Sequence, residues 1–251
     1  MSSSLRLSRD FCGLDAQVFA DSDFLELWEH GLHLHPLDRA LLLLGANHGT
    51  HEQSLADWPL GRRNEALAEL RCSYFGSSLQ AWISCPRCEE KLEFEVDIPA
   101  LMRSDRRGEQ SSEEPIVVNG HSFRLPTSRD LARLSPTSDS RAAAVDLLEG
   151  CRIDKGASPV WSDTDLEEIG ERMALADPMA EIRFKFSCPM CANEWGDSLD
   201  LGIVLWAEIE ARAKRLLLEI HTLASAYGWT EKEILSLSEN RRLLYLEIVQ
   251  G

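Results

Sequence analysis

Cys85-Pro86-Arg87-Cys88 and Cys188-Pro189-Met190-Cys191 are the two stretches around which the rest of the chain is arranged. Two cysteines separated by two residues can turn both thiolates toward one cation, and two such pairs complete a tetrahedral shell. The flanks carry a second signal. Leu92, Phe94, Val96 and Ile98 alternate with polar residues after the first pair, and Ile182, Phe184 and Phe186 do so before the second. A period of two is that of a half-buried strand. Strands are therefore predicted over 79–84 and 91–98 around one pair, and over 182–187 and 194–201 around the other. The expected fold class is α+β, mainly helical, with a split four-cysteine zinc ribbon and a C-terminal three-helix unit.

Four thiolates on one ion leave no position for water or substrate, so the expected Zn2+ holds the fold together and does not catalyse. Its ligands would be Cys85, Cys88, Cys188 and Cys191. Three other readings compete: two disulfides, a pair of redox dithiols, or unrelated buried cysteines. Disulfides need an oxidising compartment, whereas the chain begins MSSSLRLSRD without an apolar signal segment. A redox pair is expected where a strand enters a helix in a βαβ unit, which neither stretch resembles. Cys12, Cys72 and Cys151 remain outside the set and receive no role.

Composition narrows the partners. The chain has 251 residues, 44% of them hydrophobic, with 26 basic against 42 acidic residues and a formal charge of −16. Such a balance repels phosphate backbones and acidic membrane surfaces, so no nucleic-acid partner is expected. No apolar run approaches the roughly 20 residues of a membrane span. A cytoplasmic protein is expected, with incorporation into a larger particle as a further possibility.

The chain divides into an N-terminal arm and helices (1–78), the first ribbon half (79–98), an insertion (99–181), the second ribbon half (182–201) and a C-terminal helical unit (202–251). Residues 1 to about 22 read as a loosely held arm. Asp23 is placed to cap a helix ending near Gly31, and Pro36 to open another through Leu37, Ala40, Leu41 and Leu44. His30, His33 and His35 invite a metal or acid–base role, but Pro36 follows at once and no acidic cluster accompanies them, so they are read as loop and cap residues. Residues 47–58 are polar and read as a loop, and 60–75 as a helix.

Within the insertion, residues 102–114 read as a linker, and Asn119-Gly120 between two β-prone runs predicts a tight hairpin. Thr127 or Ser128 is expected to cap a helix, with further helices over 142–151 and 163–176. The tail is the best-patterned part. Trp206, Ile209, Ala213, Leu216, Ile220 and Leu223 recur at helical spacing, Gly228 is a stop, and Thr230 with Glu233 forms a capping-box signature before a last helix capped by Ser238.

These residues together resemble one family. The stretches WEHGLHLHPLDRALLLL, CPRC with EFEVDI, FRLPTSRDL, ADPMAEIRFKFSCPMCANEW and LWAEIEARAKRLLLEIHTLASAYGWTEKEILSLSENRRLLYLEIV are similar to phage-baseplate-type proteins related to the T4 baseplate hub assembly chaperone. Such proteins occur with contractile tails and extracellular contractile injection systems. AYGWTEKEIL followed by RRLLYLEIV is similar to the short helical assembly factors of contractile phage tails, and the paired knuckles to what longer, injection-system members add. One departure is Ala192-Asn193 after the second knuckle, where many ribbons carry glycine.

The resemblance implies a non-enzymatic chaperone or adaptor whose partners are baseplate hub or wedge proteins. It implies the tail helices as the binding element, with Trp206, Ile209, Leu216, Tyr227 and Trp229 as candidate contacts. Spacing alone favours a place in the core over ligand binding for Trp206, Tyr227, Trp229 and Tyr245, which fall at helical spacings or at turns. A permanent baseplate component is the alternative. A zinc-ribbon nucleic-acid binder stands behind both, because Glu89, Glu90, Glu93, Glu95 and Asp97 outnumber Arg87 and Lys91 in the first ribbon half. No phosphate loop, nucleophile elbow or paired-histidine helix motif points to an enzyme.

Overall fold

The 27-residue helix that follows the second cysteine pair is the axis of the main core, and the N-terminal helices and the last two helices pack around it. The computed structural model describes residues 20–49, 52–105, 114–134, 139–154, 156 and 159–250. In chain order the elements are α1 (Asp21–Gly31), α2 (Pro36–His48), α3 (Glu52–Leu55), α4 (Leu60–Phe75), β1 (Ser78–Ser84), β2 (Lys91–Asp97), α5 (Ile98–Asp105), β3 (Ile116–Val118) and β4 (His121–Phe123). They continue with α6 (Ser128–Arg133), α7 (Ser140–Cys151), α8 (Asp163–Ala176), a 3-10 turn at Pro178–Ala180, β5 (Ile182–Ser187), β6 (Glu194–Leu199), α9 (Leu201–Tyr227), α10 (Glu231–Leu235) and α11 (Glu239–Gln250). The fold is α+β. Its described strands form three two-stranded antiparallel hairpins.

Local chemistry starts and stops the tail helices. Asp200 accepts from the Ile203 N–H at 3.0 Å to open α9, and Gly228 closes it at φ 70°. That left-handed conformation is one an L side chain adopts only at a cost. Thr230 and Glu233 form a reciprocal capping box on α10. On α9 the apolar residues Leu205, Trp206, Ile209, Ala213, Leu216, Ile220 and Leu223 fall on one side and are buried. They meet Phe24, Leu25 and Trp28 of α1, Leu41 and Leu44 of α2, Leu67 and Leu70 of α4, and Ile234 and Leu246 of the last two helices. Each fully buried side chain of this kind contributes about 1.5–3 kcal/mol.

This core corrects one expectation. Trp206, Ile209 and Leu216, candidates for partner contact, are 5%, 4% and 3% exposed and lie at the centre of the core. The helical period identifies the face that must leave water, and here α1, α2 and α4 of the same chain already cover it. Gly31 is where α1 presses on Trp206, since a Cβ there would overlap the indole ring. Arg39 lies 4.6 Å above that ring and donates to the carbonyls of Gly31 and Leu32 at 2.9 and 2.7 Å, closing the end of α1. His35 accepts from the Leu37 N–H at 3.3 Å at the start of α2, and His30 bonds the Glu26 carbonyl at 2.9 Å.

Other boundaries shift. The helix expected to be capped by Asp23 starts at Asp21, which leaves Asp23 inside a first turn where acids suit the helix dipole. Residues 47–58 are not one loop: Asn47 and His48 end α2, Gly49 takes a left-handed φ of 60°, and α3 occupies Glu52–Leu55. Met102 and Arg103 belong to α5, with Met102 packed against the main core, so the linker begins later than expected. The arm at 1–19 and the linker at 106–113 lie outside the described residues.

The insertion builds a second, smaller core from Val118, Phe123, Leu148, Cys151, Trp161, Ile169 and Met173. Asn119 and Gly120 turn its hairpin with φ of 50° and 80°, the two left-handed residues of a tight primed turn. It is joined to the body at the start of α4, where no local side chain caps the helix. The Pro126 carbonyl instead accepts from the Leu60 N–H at 3.0 Å, and the Asp177 carboxylate from the Gly61 N–H at 2.9 Å. Asn64 donates to the Met179 carbonyl at 2.8 Å and Arg63 to Ser128 at 3.2 Å. The motif FRLPTSRDL and the start of ADPMAEIRF are thus the two seams of the insertion.

Candidate metal centre

Two hairpins from distant parts of the chain bring the four cysteines together. β1 pairs with β2 from Ser78 opposite Asp97 to Ser84 opposite Lys91, and β5 with β6 from Ile182 opposite Leu199 to Ser187 opposite Glu194. Alternation turns Phe94 of one hairpin toward Phe184 and Phe186 of the other, with ring centroids 6.0 and 5.1 Å apart. Phe186 also stacks on Trp195 at 5.5 Å. The contact lies behind the cysteines, so apolar burial of the facing sheets positions both tips. At the base, Arg71 donates to the Gly76 and Ser78 carbonyls at 2.7 and 3.0 Å and to Glu208 at 2.7 Å. That side chain fixes the first hairpin to α4 and α9, and no local sequence signal marks it.

The two tips have the same backbone. In the first, the Cys85 N–H donates to the Glu90 carbonyl at 2.8 Å and the Glu89 N–H to the Cys85 carbonyl at 2.9 Å. In the second, the Cys188 N–H donates to Asn193 and the Ala192 N–H to Cys188, both at 2.9 Å. Pro86 and Pro189 occupy the position where a preset φ favours the turn. The residue after each second cysteine is left-handed, Glu89 at φ 62° and Ala192 at φ 54°. The departure from glycine at Ala192 therefore keeps the turn and accepts a cost of about 1–2 kcal/mol.

The four Sγ atoms all lie within 4.8 Å of one another and can hold one metal ion. The closest cross-tip approaches are 3.7 Å for Cys85 to Cys191 and 3.5 Å for Cys88 to Cys188. Thiolates around a tetrahedral ion with bonds of about 2.3 Å stand about 3.8 Å apart, so the arrangement fits such an ion. Cys85 and Cys188 are buried, Cys191 is half-buried and Cys88 is exposed. Sequence reasoning found all four, because the spacing within each pair is local.

The protons on these sulfurs are unevenly held. Burial opposes ionisation of Cys85, but the N–H groups of Arg87 and Cys88 and the thiols of Cys191 and Cys88 pull it down to about 7. At Cys88 the Glu90 N–H favours the thiolate, yet desolvation and crowding by Cys191, Cys188 and Cys85 push it up to about 12. One thiolate in the shell suppresses its neighbours, and a bound cation reverses that penalty.

The remaining candidates fall elsewhere. Tyr227 and Trp229 stack at 4.6 Å and both meet Tyr245 edge-on, at 5.6 and 4.9 Å. Tyr227 is 36% exposed, so this cluster reaches the surface where α9 gives way to α10 and α11, whereas Trp206, Ile209 and Leu216 do not. No described helix is long and apolar enough to cross a membrane. No family model matches the chain, and neither a characterised protein nor a solved structure matches it.

Proposed function

We propose that the chain is a non-enzymatic assembly chaperone or adaptor for the baseplate or hub of a contractile injection system or phage-like tail. In this reading it acts in the cytoplasm, and Zn2+ in the four-cysteine centre is a structural ion. Thiolate-only ligation with no open position favours zinc in a closed, non-catalytic site. The ion ties residues 85–88 to residues 188–191 and so holds the two ends of the insertion in one register. That gives the tail helices a rigid base.

The observation that carries the binding role lies in the segment with the assembly-factor resemblance. Its helices leave large apolar side chains in water: Leu218 is 65% exposed, Leu244 60% and Ile248 69%. Exposed apolar side chains grouped on one segment favour a protein partner. Glu93, Glu95 and Asp97 on the outer face of the first hairpin are exposed, and their charge disfavours nucleic acid.

Mass spectrometry on two samples from the native host tests the reading: tagged protein drawn from cytosol, and purified contractile particles. Baseplate proteins recovered with the tagged chain, and the chain missing from particles, is the expected result. The chain present in particles at fixed stoichiometry would make it a permanent component. Recovery of nucleic acid or metabolic enzymes in place of baseplate proteins would overturn both. For the metal, elemental analysis is expected to find one zinc per chain, and none after Cys85→Ser.

A further inference from the structure

The hairpin of the insertion ends in a dipeptide with chemistry of its own. Asn119 and Gly120 are exposed at its tip, and glycine places no side chain between its backbone nitrogen and the asparagine amide. A Cβ at Gly120 would meet nothing within 4 Å, so the tip stands clear of the rest of the chain. The other asparagines, Asn47, Asn64, Asn193 and Asn240, precede His48, Glu65, Glu194 and Arg241, whose side chains crowd that approach. Asn64 is also buried, with its amide bonded to the Met179 carbonyl.

The amide of Asn119 holds the hairpin to α8. Its Nδ2 donates to Asp165 Oδ1 at 3.0 Å and to Glu168 Oε2 at 3.5 Å. The other oxygen of Asp165 accepts from the Ser162 N–H and hydroxyl at 3.0 and 2.6 Å. Ser162 first, and Asn119 after it, hold the Asp165 carboxyl below its usual range, so it is charged at neutral pH. The contact therefore needs a neutral donor at position 119.

We propose that Asn119 is a site of spontaneous deamidation, and that the carboxylate it becomes releases the hairpin from α8. The Gly120 nitrogen loses its proton and bonds to Asn119 Cγ, closing a five-membered succinimide while the side-chain nitrogen leaves as ammonia. Water then opens the ring. Attack at Cγ leaves aspartate, whereas attack at the main-chain carbonyl carbon leaves isoaspartate, whose backbone runs through Cβ and is one methylene longer. One water is consumed, one ammonia is released, and nothing is oxidised or reduced.

Either product replaces a donor with a negative charge facing Asp165 and Glu168, and like charges at that range repel. Isoaspartate also lengthens a two-residue turn that sets Val118 opposite His121. Val118 and Phe123 of this hairpin are 3% and 0% exposed in the second core, so loss of the turn reaches its packing. The chemistry is the same whatever partner the chain holds.

The full metal-loaded chain, incubated in mildly alkaline buffer and mapped by mass spectrometry, tests the site. Conversion at Asn119 is expected to run at least tenfold faster than at Asn193 or Asn240. An intact Asn119, or equal conversion at Asn240, overturns it. Hydrogen exchange across residues 116–123 reads the release. Asn119→Asp is expected to speed exchange there at least tenfold, and a wild-type rate overturns the release. Asn119→Asp/Asp165→Asn exchanges donor and acceptor across the contact and is expected to recover part of the protection. If Asn119→Asp unfolds the insertion altogether, the double variant still decides: recovery supports the charge contact, and no recovery overturns it.

Discussion

Gly61→Ala probes how the insertion is locked to the body and, through it, the metal centre. Gly61 is the second residue of α4, and its N–H donates to Asp177 Oδ2 at 2.9 Å. A Cβ at Gly61 would stand 2.6 Å from the Asp177 Cγ and overlap one carboxylate oxygen. Ordinary contact needs about 3.5–4.0 Å, so the carboxylate must swing out and the hydrogen bond is lost. Asp177 is 8% exposed, and breaking a bond to a buried charged group costs about 1.5–3 kcal/mol. Alanine in a helix returns up to about 1 kcal/mol relative to glycine. With the full return subtracted the net loss is about 0.5–2 kcal/mol, which in a chain of this size lowers Tm by about 1–8 °C.

The effect is expected to reach the cysteines. β5 starts five residues after Asp177, so the same carboxylate sets where the second knuckle begins. Differential scanning calorimetry of the metal-loaded protein reads the first effect, and competition with a chromogenic chelator reads the second, as weaker metal retention. Gly61→Ala/Asp177→Ser is expected to be less destabilised than the sum of its single variants, because the serine leaves room for the methyl. A Tm for Gly61→Ala at or above wild type, with unchanged metal retention, would refute the reasoning.

Four further outcomes follow from the geometry. Cys85→Ser or Cys188→Ser is expected to lose the metal and lower the melting temperature of the whole chain, as is chelation of wild type; full metal content at unchanged Tm would exclude a shared site. Ala192→Gly relieves a left-handed alanine at φ 54° and is expected to stabilise by about 0.5–1 kcal/mol with the metal stoichiometry unchanged, read by denaturant unfolding. Asp130 is buried, which raises its pKa, but Arg124 and Thr127 outweigh that and hold it below the usual carboxylate value. A depressed folded pKa adds stability above the unfolded pKa and loses it as pH falls through the folded one. Asp130→Asn is therefore expected to be destabilised at pH 7, with the gap to wild type closing below about pH 4. Trp206→Ala is expected to cost about 3–5 kcal/mol, whereas Leu218→Glu stays within about 0.5 kcal/mol of wild type; equal melting losses would contradict the assignment of one to the core and the other to the surface.

Much of the local structure was legible in the residues. The knuckles, their alternating flanks, α7, α8, the glycine stop of α9 and the capping box of α10 depend on neighbours within about four positions, which is the range of hydrogen bonds in helices and turns. The boundaries that moved are those where a local pattern was weak. Asn47 and His48 end a helix whose leucines precede them, and α5 opens at Ile98-Pro99 where a strand was expected to finish. The start of α4 shows why some of it was hidden. Its caps are Pro126 and Asp177, more than sixty residues away, so no reading of the residues around Leu60 can supply them.

By itself the sequence determined that four cysteines can share one ion, that the chain is strongly acidic, and that the tail is three helices with one apolar face. Proximity along the chain is enough for each of these, because ligand spacing, charge and helical period are properties of short segments. Only the tertiary structure decided which apolar face is core. The stripe of Trp206, Ile209 and Leu216 is covered by α1, α2 and α4, and the side left in water carries Ile203, Lys214 and Leu218 instead. Periodicity states that a face must leave water, and what covers that face depends on elements whose approach is encoded nowhere near it.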